Sequence, residues 1–349
     1  MVHFPLRLRI DGEALVSNWR WLAAQSGGAA CGAAVKADGY GIGARETVKR
    51  LAAAGCRDFF VATWPEAEAL MPWPQELALS VLHGVGPEDI ETALASPARP
   101  VLNTPAQVAR WREGGGERPC DVMVDTGMSR LGLSAEQALS GLLDGLTVET
   151  AMSHLACADE SGHPLNEEQL DRFRSLRRAI VARRYSLANS AAICLGGDYA
   201  FDLTRPGLAL YGGVPVIGDA RQEAAIRQVA HVEAQLVQVR DVPAGATVGY
   251  GATWTAPSDR KIGILNIGYA DGYLRALGRT GRARAGEAVV PVVGRVSMDL
   301  LAVDLTGVGA AEGDWLEIDY RLPQLAHESG ISQYELLTTL GRRHERIWS

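Results

Sequence analysis

The chain has 349 residues, 47% of them hydrophobic, and a formal net charge of −7. That length suits about two domains, or one large barrel with an appendage, and supplies enough apolar side chains for a sizeable core. The acidic balance and the lack of a long basic stripe argue against a nucleic-acid binder, and no apolar run approaches the roughly 18 residues of a membrane span.

In chain order, LRLRI alternates through Leu6, Leu8 and Ile10, a strand signal, and ALVSNWRWLAA behind it reads as a helix. The opening MVHFPLRLRIDG has no signal-peptide apolar core, so a soluble cytoplasmic protein is expected. Strand candidates then follow one another: CGAAVK, DFFVAT, LALSVLHG, PVLN, DVMVD, TVETAMSH, YSLAN and LALYGG. Helical candidates lie between most of them: ARETVKRLAAAG, PEAEALM, PEDIETALAS, PAQVARWREG, SAEQALSGLLDG and NEEQLDRFRSLRRAIVARR. Eight strands separated by helix-length segments over about 200 residues predict an α/β fold with a parallel (β/α)8 barrel. A doubly wound sheet is the alternative, because a linear pattern does not show closure. Near residue 226 the style changes: VAHVEAQLVQVRDVPAGATVGYGATW, KIGILNIGY, AVVPVVGRVSMDLLAVDL and DWLEIDY are β-rich with Gly and Pro turns. A barrel over 1–225 and a β domain over 226–349 are therefore expected, with the first strand, about 4–10, a candidate member of the β domain. SQYELLTTLGRR reads as a final helix.

The five cysteines, Cys31, Cys56, Cys120, Cys157 and Cys194, are odd in number and far apart, with no C-x-x-C. Buried reduced thiols are expected, and neither a metal site nor a disulfide framework.

In a βα barrel the chemistry gathers where strands end and loops begin. Lys36 ends the first strand; Asp125, Thr126 and Arg130 follow the fifth; His154 ends the sixth; Asn189 and Ser190 end the seventh; Arg205 precedes LALYGG. A lysine at the end of an apolar strand is costly unless paired, deprotonated or used. Apolar burial and nearby cations lower its pKa and free the amine to attack a carbonyl. Schiff-base formation with pyridoxal phosphate fits such a lysine, with Tyr40, Ser190 and the amides of Gly207 and Leu208 as phosphate donors. A second reading competes at the same place. Gly39-Tyr40-Gly41-Ile42-Gly43-Ala44 fits the G-x-G-x-x-A nucleotide fingerprint. That reading demands a doubly wound sheet and leaves Lys36 and the β domain unexplained.

AAVKADGYGIG at 33–43 resembles the pyridoxal-phosphate attachment motif of alanine racemases. VDTGMSRLGL at 124–133, SHLACADE at 153–160, NEEQLDRF at 166–173, ANSAA at 188–192, RPGLALYGG at 205–213, VGYGATW at 248–254, IGYADGYLR at 267–275 and GRVSMD at 294–299 match that family in order, over nearly the whole chain. The resemblance implies an N-terminal barrel followed by a β domain. It also implies a homodimer whose active sites are each completed by the partner's β domain, and interconversion of L- and D-alanine for cell-wall peptidoglycan. By the same resemblance Lys36 holds pyridoxal phosphate in a Schiff base and serves one face of the substrate, and Tyr250 serves the other. A free tyrosine has a pKa of about 10. His154 and Arg205 are implied beside Tyr250 as a cationic network favouring its ionisation, and Arg205 also faces the cofactor's ring nitrogen. Tyr40, Asn189, Ser190, Gly207, Leu208 and Trp348 are implied cofactor contacts. Arg130, the Met298 amide and Asp299 are implied at the substrate carboxylate, and Asp159, Tyr269 and Arg275 at the entrance. No metal is implied.

Three positions depart from the family. Met123 stands where many relatives carry a carbamylated lysine that orients the arginine, so another group, such as a bound anion, is expected to steady Arg130. Arg343-His344-Glu345-Arg346-Ile347-Trp348 replaces the usual R-V-P-R-V-Y, putting pocket size and specificity at issue through Trp348. Ile42 replaces the histidine of YGHG. A barrel-type decarboxylase would share the lysine without the GYADG and SMD segments, and a non-catalytic cofactor carrier would lack the β domain. A broader amino-acid racemase, acting for example on serine, is the nearest rival.

Overall fold

A computed structural model describes residues 3–115 and 117–349. Two compact units divide the chain. One holds Leu15–Leu210 and Val214–Arg227; the other holds the described residues up to Ala14, Tyr211–Gly213 and Gln228–Ser349.

The chain opens with β1 (Leu6–Ile10), a member of the second unit, and the helix Gly12–Gln25. The first unit then alternates strands and helices. Its strands are β2 (Ala30–Cys31), β3 (Ala33–Ala34), β4 (Asp58–Val61), β5 (Ala78–Val81), β6 (Arg99–Leu102), β7 (Cys120–Met123), β8 (Val148–Met152), β9 (Arg184–Ser186) and β10 (Leu203–Thr204). Strands β3 to β9 form one parallel sheet in sequence order, and β10 pairs in parallel with β2. Such strands are covered on both faces, which is why DFFV and CDVM are buried at all four positions. Backbone hydrogen bonds join the sheet's ends. Asp202 N donates to Tyr185 O at 3.0 Å and Arg205 N to Ala188 O at 2.8 Å on one side of β10; Gly32 N donates to Thr204 O at 2.9 Å and Ala34 N to Pro206 O at 2.8 Å on the other. The ring of eight parallel strands, with β2 and β3 counted as one, is therefore closed, and the doubly wound alternative is excluded.

Two expected elements are corrected. LALYGG is not the eighth strand: Leu208–Tyr211 is a 3-10 turn, and the strand is β10, just before Arg205. Leu208, Ala209, Leu210 and Tyr211 are all buried, and a short continuous apolar run does not separate a strand from a buried turn. The consequence is functional, because Arg205 becomes a strand-end residue like Lys36 and His154. The long helix expected from NEEQLDRF onward stops at Arg177. All five cysteines are free, but only Cys31, Cys56 and Cys120 are buried; Cys157 and Cys194 are partly exposed.

The second unit contains β11 (Ala230–Val242), the short pair β12 (Thr247–Val248) and β13 (Trp254–Thr255), β14 (Arg260–Leu265), β15 (Arg282–Ala285), β16 (Ala288–Val293), β17 (Leu301–Asp304), β18 (Trp315–Ile318) and β19 (Glu345–Trp348). Eight strands lie in the order β14-β17-β16-β15-β18-β11-β1-β19, and β14 also pairs with β11, so six of them close on themselves. A register shift between Leu236 and Gln238 lets β11 serve both places: its first part pairs with β1 and β18, its second with β14. Val242, Ala256, Ile262, Val293 and Ala302 form one core cluster of this unit. The stretch AVVPVVGRVSMDLLAVDL divides into β16 and β17, leaving Met298 and Asp299 on the loop between them. Helix Leu322–Ser329 was not expected; Gln333–Thr338 was, and Ser332 with Glu335 gives it a capping box.

Candidate active site

Lys36 lies one residue beyond β3, after Val35, and the backbone behind it turns left-handed at four successive residues: Ala37 (φ 53°), Asp38 (52°), Gly39 (62°) and Tyr40 (54°). Three of these carry a Cβ, so the turn is strained and needs outside support. Glu66 supplies part of it, accepting from Ala37 N at 2.9 Å and Ala62 N at 2.7 Å. Asp38 supplies the rest, accepting from Ala44 N at 2.9 Å. The Lys36 amine is half-buried. Burial, and then the charge of Arg130, lower its pKa, while Glu66 opposes them.

Arg130 sits on the exposed rim of the loop after β7, and that loop is folded around one carboxylate. Asp125 accepts from the amides of Gly127 (2.8 Å), Met128 (2.9 Å) and Ser129 (3.0 Å). Leu133 N closes the loop onto Met123 O at 2.9 Å, over the buried Met123 side chain. The backbone that carries Arg130 thus has a brace of its own. His154, after β8, is drawn into the same cluster by Gln169. That fully buried amide donates to Thr126 Oγ1 (3.2 Å) and His154 O (3.0 Å) and accepts from Ala156 N (2.9 Å).

Arg205, after β10, is buried. It donates to Ser153 O at 2.6 Å and to the Ser186 hydroxyl. Burial draws its pKa down to about 10, with Asp121 pulling the other way, so it stays protonated at neutral pH. Burial first, then Arg205, Arg130 and Lys36, push the His154 imidazole down to about 3. This corrects the cationic role expected of His154: enclosed among three cations, it is a neutral hydrogen-bonding group near pH 7. The nearby carboxylates are committed elsewhere, Glu66 to backbone amides and Asp121 to Ser80 and Arg99. The cluster therefore carries excess positive charge, a setting for an anion.

Beside it lies a close-fitting cradle. The Ser190 hydroxyl accepts from Gly207 N (2.9 Å) and Ala209 N (3.2 Å), which leaves its own proton to donate. A Cβ on Gly207 would overlap the Tyr40 hydroxyl and stand 2.8 Å from Tyr40 Cζ, so only glycine admits the buried ring. Leu208 begins the 3-10 turn behind it, and Asn189 caps the following helix by accepting from Ala192 N at 2.9 Å.

Two family models match the chain: "Alanine racemase, N-terminal domain" over residues 10–215 and "Alanine racemase, C-terminal domain" over 229–348. The chain belongs to the alanine racemase family. It is 41% identical to an alanine racemase of Rhizobium meliloti, over 98% of this chain and 96% of that one. It is 40% identical to a biosynthetic alanine racemase of Agrobacterium fabrum, over 98% and 93%. Its structure is similar to that of a Bartonella henselae alanine racemase described with covalently bound pyridoxal phosphate, with a TM-score of 0.91, 33% identity and 99% of each chain covered.

In this member of the alanine racemase family, Lys36, Tyr40, Arg130, His154, Asn189, Ser190, Arg205, Gly207 and Leu208 all fall in the barrel unit, with the exposed Asp159 on the loop after β8. Tyr250, Tyr269, Arg275, Met298, Asp299 and Trp348 fall in the β unit. There Tyr250 follows β12 and is 71% exposed, and Met298 is 53% exposed. The Arg275 guanidinium lies over the Tyr269 ring, 5.1 Å from its centroid. Trp348 is part of β19, in register with Ile10 of β1. Glu66 and Gln169 were not singled out from the sequence, although Gln169 lies inside NEEQLDRF. Their signal is weak, because most of what they hold is backbone, which has no side-chain signature.

Proposed function

We propose that the protein is an alanine racemase that interconverts L- and D-alanine with pyridoxal phosphate, supplying D-alanine for peptidoglycan. One observation carries the reading: a lysine with a lowered pKa shares a carboxylate-poor cationic cluster with Arg205 and Arg130, and the glycine-tight cradle of Ser190, Gly207 and Tyr40 adjoins it. The residues fit the cofactor. Lys36 would hold it covalently through its amine, and Ser190, Tyr40 and the Leu208 amide would take its phosphate, with Gly207, whose amide is engaged by Ser190, shaping the cradle; Asn189 and Trp348 complete this set in our reading.

When bound, pyridoxal phosphate withdraws electrons from the substrate's Cα and acidifies its hydrogen. Lys36 accepts or returns the Cα proton on one face, its availability raised by burial and by Arg130. Tyr250 does the same on the other face, delivered by the β domain of a second copy in a homodimer with shared sites. Arg205 only donates. It would therefore face the cofactor's ring nitrogen as a donor that keeps its proton, a setting that would restrain side reactions needing a stronger electron sink. Arg130 and the Met298 amide hold the substrate carboxylate, with Asp299 beside them. Asp159, Tyr269 and Arg275 narrow the way in.

The test is to incubate the purified protein with L-alanine and, separately, with L-serine, and to follow the chiral products. D-alanine should accumulate to an equal mixture and outpace D-serine. Cofactor bound with no D-alanine formed defeats the reading, and faster serine turnover replaces it with a broader racemase.

A further inference from the structure

The turn Tyr269–Asp271 and the loop 294–300 lie backbone against backbone in the β unit. Tyr269 N donates to Ser297 O at 3.1 Å and Ala270 N to Met298 O at 3.0 Å. The approach is so close that a Cβ on Gly268 would overlap both Ser297 O and Met298 O. Yet the tips carry little packing of their own: Met298 is 53% exposed and the Asp299 side chain 52%. One side chain from a third segment spans both. Arg343 donates through Nε to Asp271 Oδ1 (2.7 Å) and through Nη2 to Asp271 Oδ2 (2.9 Å), and its Nη1 reaches Asp299 Oδ1 (2.7 Å).

An exposed ion pair ordinarily contributes little. This one differs in two respects. Asp271 is only 2% exposed, and its Oδ2 also accepts from Gly268 N at 2.9 Å, so loss of the arginine would leave a buried carboxylate without its counter-charge. The pairing is also bidentate, which fixes direction as well as distance. The Asp299 arm is half-exposed and weaker, but it ties the second loop to the same guanidinium. Gly341 N donates to Asp271 O at 3.3 Å, so the segment carrying the arginine is itself seated on the turn.

We propose that Arg343 is a positioning residue. Its fork clamps the Asp271 turn to the Asp299 loop, and the Met298 amide and Tyr269 are thereby held in place for the substrate. The proposal rests on the reading above that Met298 and Tyr269 face the substrate.

The test uses the full-length, cofactor-loaded protein with R343A and R343K. Amide hydrogen exchange is followed in peptides covering 267–275 and 295–301, and kcat and KM are measured for L-alanine. In R343A, exchange at Tyr269 and Ala270 should rise about tenfold or more as the local opening energy falls. KM should rise about five- to tenfold with kcat within about twofold, the pattern of lost binding rather than lost chemistry. R343K keeps the charge but not the fork, and it should shift both readouts in the same direction by less; it carries the test if R343A does not fold. Unchanged local exchange overturns the clamp, even with a lowered melting temperature. Wild-type behaviour of R343K overturns the role of the fork. Faster exchange with an unmoved KM overturns the positioning role and, with it, the substrate-facing reading of these loops, while leaving the clamp itself in place.

Discussion

The barrel unit buries Tyr40, Ser190, Arg205, Gly207 and Leu208, whereas none of the β unit's candidate residues is buried. In the barrel, Ser190, Gly207 and Arg205 are buried, each hydrogen-bonded to a neighbouring strand end or turn, and Arg130 stands on a loop wrapped around Asp125. In the β unit, Tyr250 and Met298 present most or half of their surface to solvent. The first half is organised by the closing of a sheet. The second is a set of loops on the closed sheet of the β unit, two of which are tied together by the Arg343 fork.

The largest effect expected in the barrel half is that of Lys36→Ala. It should abolish the visible absorbance of the lysine-bound cofactor and reduce racemisation to the detection limit. Retained absorbance would mean that the strand-end lysine is not the attachment point. Tyr250→Phe is the matching change in the β half. It should leave that absorbance intact and lower turnover by about 10²- to 10⁴-fold, the range for loss of a general base. Lost absorbance in this variant would break the division of labour between the units.

Gly207→Ala tests how tightly the cradle is built. The added methyl overlaps the Tyr40 hydroxyl, and overpacking of this kind costs about 1–3 kcal/mol. Cofactor affinity, measured by titration of the stripped protein, should fall about tenfold or more. Unchanged affinity would show that Tyr40 can move, and that the cradle is looser than its geometry.

The smallest effect concerns pH. His154 titrates near 3 in the fold against an ordinary 6.5, so the unfolded chain binds the extra proton between those values. Stability from this group is complete above about pH 6.5 and falls as pH drops toward 3, with a slope approaching about 1.4 kcal/mol per pH unit. His154→Asn should flatten that acid limb in urea melts between pH 4 and 6.5. An unchanged slope would mean that His154 is charged after all and that the cluster is even more cationic.

Much of the fold was legible because its signals are local. Strand-length apolar runs, helical periodicity between them and the change of style near residue 226 are properties of neighbouring residues. LALYGG misled for the same reason: hydrophobicity without a period shows burial and does not show shape. The candidate residues were legible as types at strand ends, reinforced by motifs matching a known family. Their states were not. No local pattern reveals that His154 is neutral, because that follows from burial and from three cations brought to it by three other strand ends. Nor does any pattern announce Gln169 or Asp125 as braces, since most of what they hold is backbone, which every residue has.

The sequence by itself determined which chemistry is present: a lysine amine, a tyrosine hydroxyl, three arginines and a glycine-lined turn, in an order that marks the family. Tertiary structure alone decided how those groups behave. Closure through β10 turned Arg205 from a residue before a supposed strand into a buried strand-end donor. Burial beside like charges lowered Lys36 and neutralised His154. Contact between segments 72 residues apart made a guanidinium fork out of Arg343 and Asp271. Proton affinity and hydrogen-bond geometry depend on distance through space, and only the folded chain sets those distances.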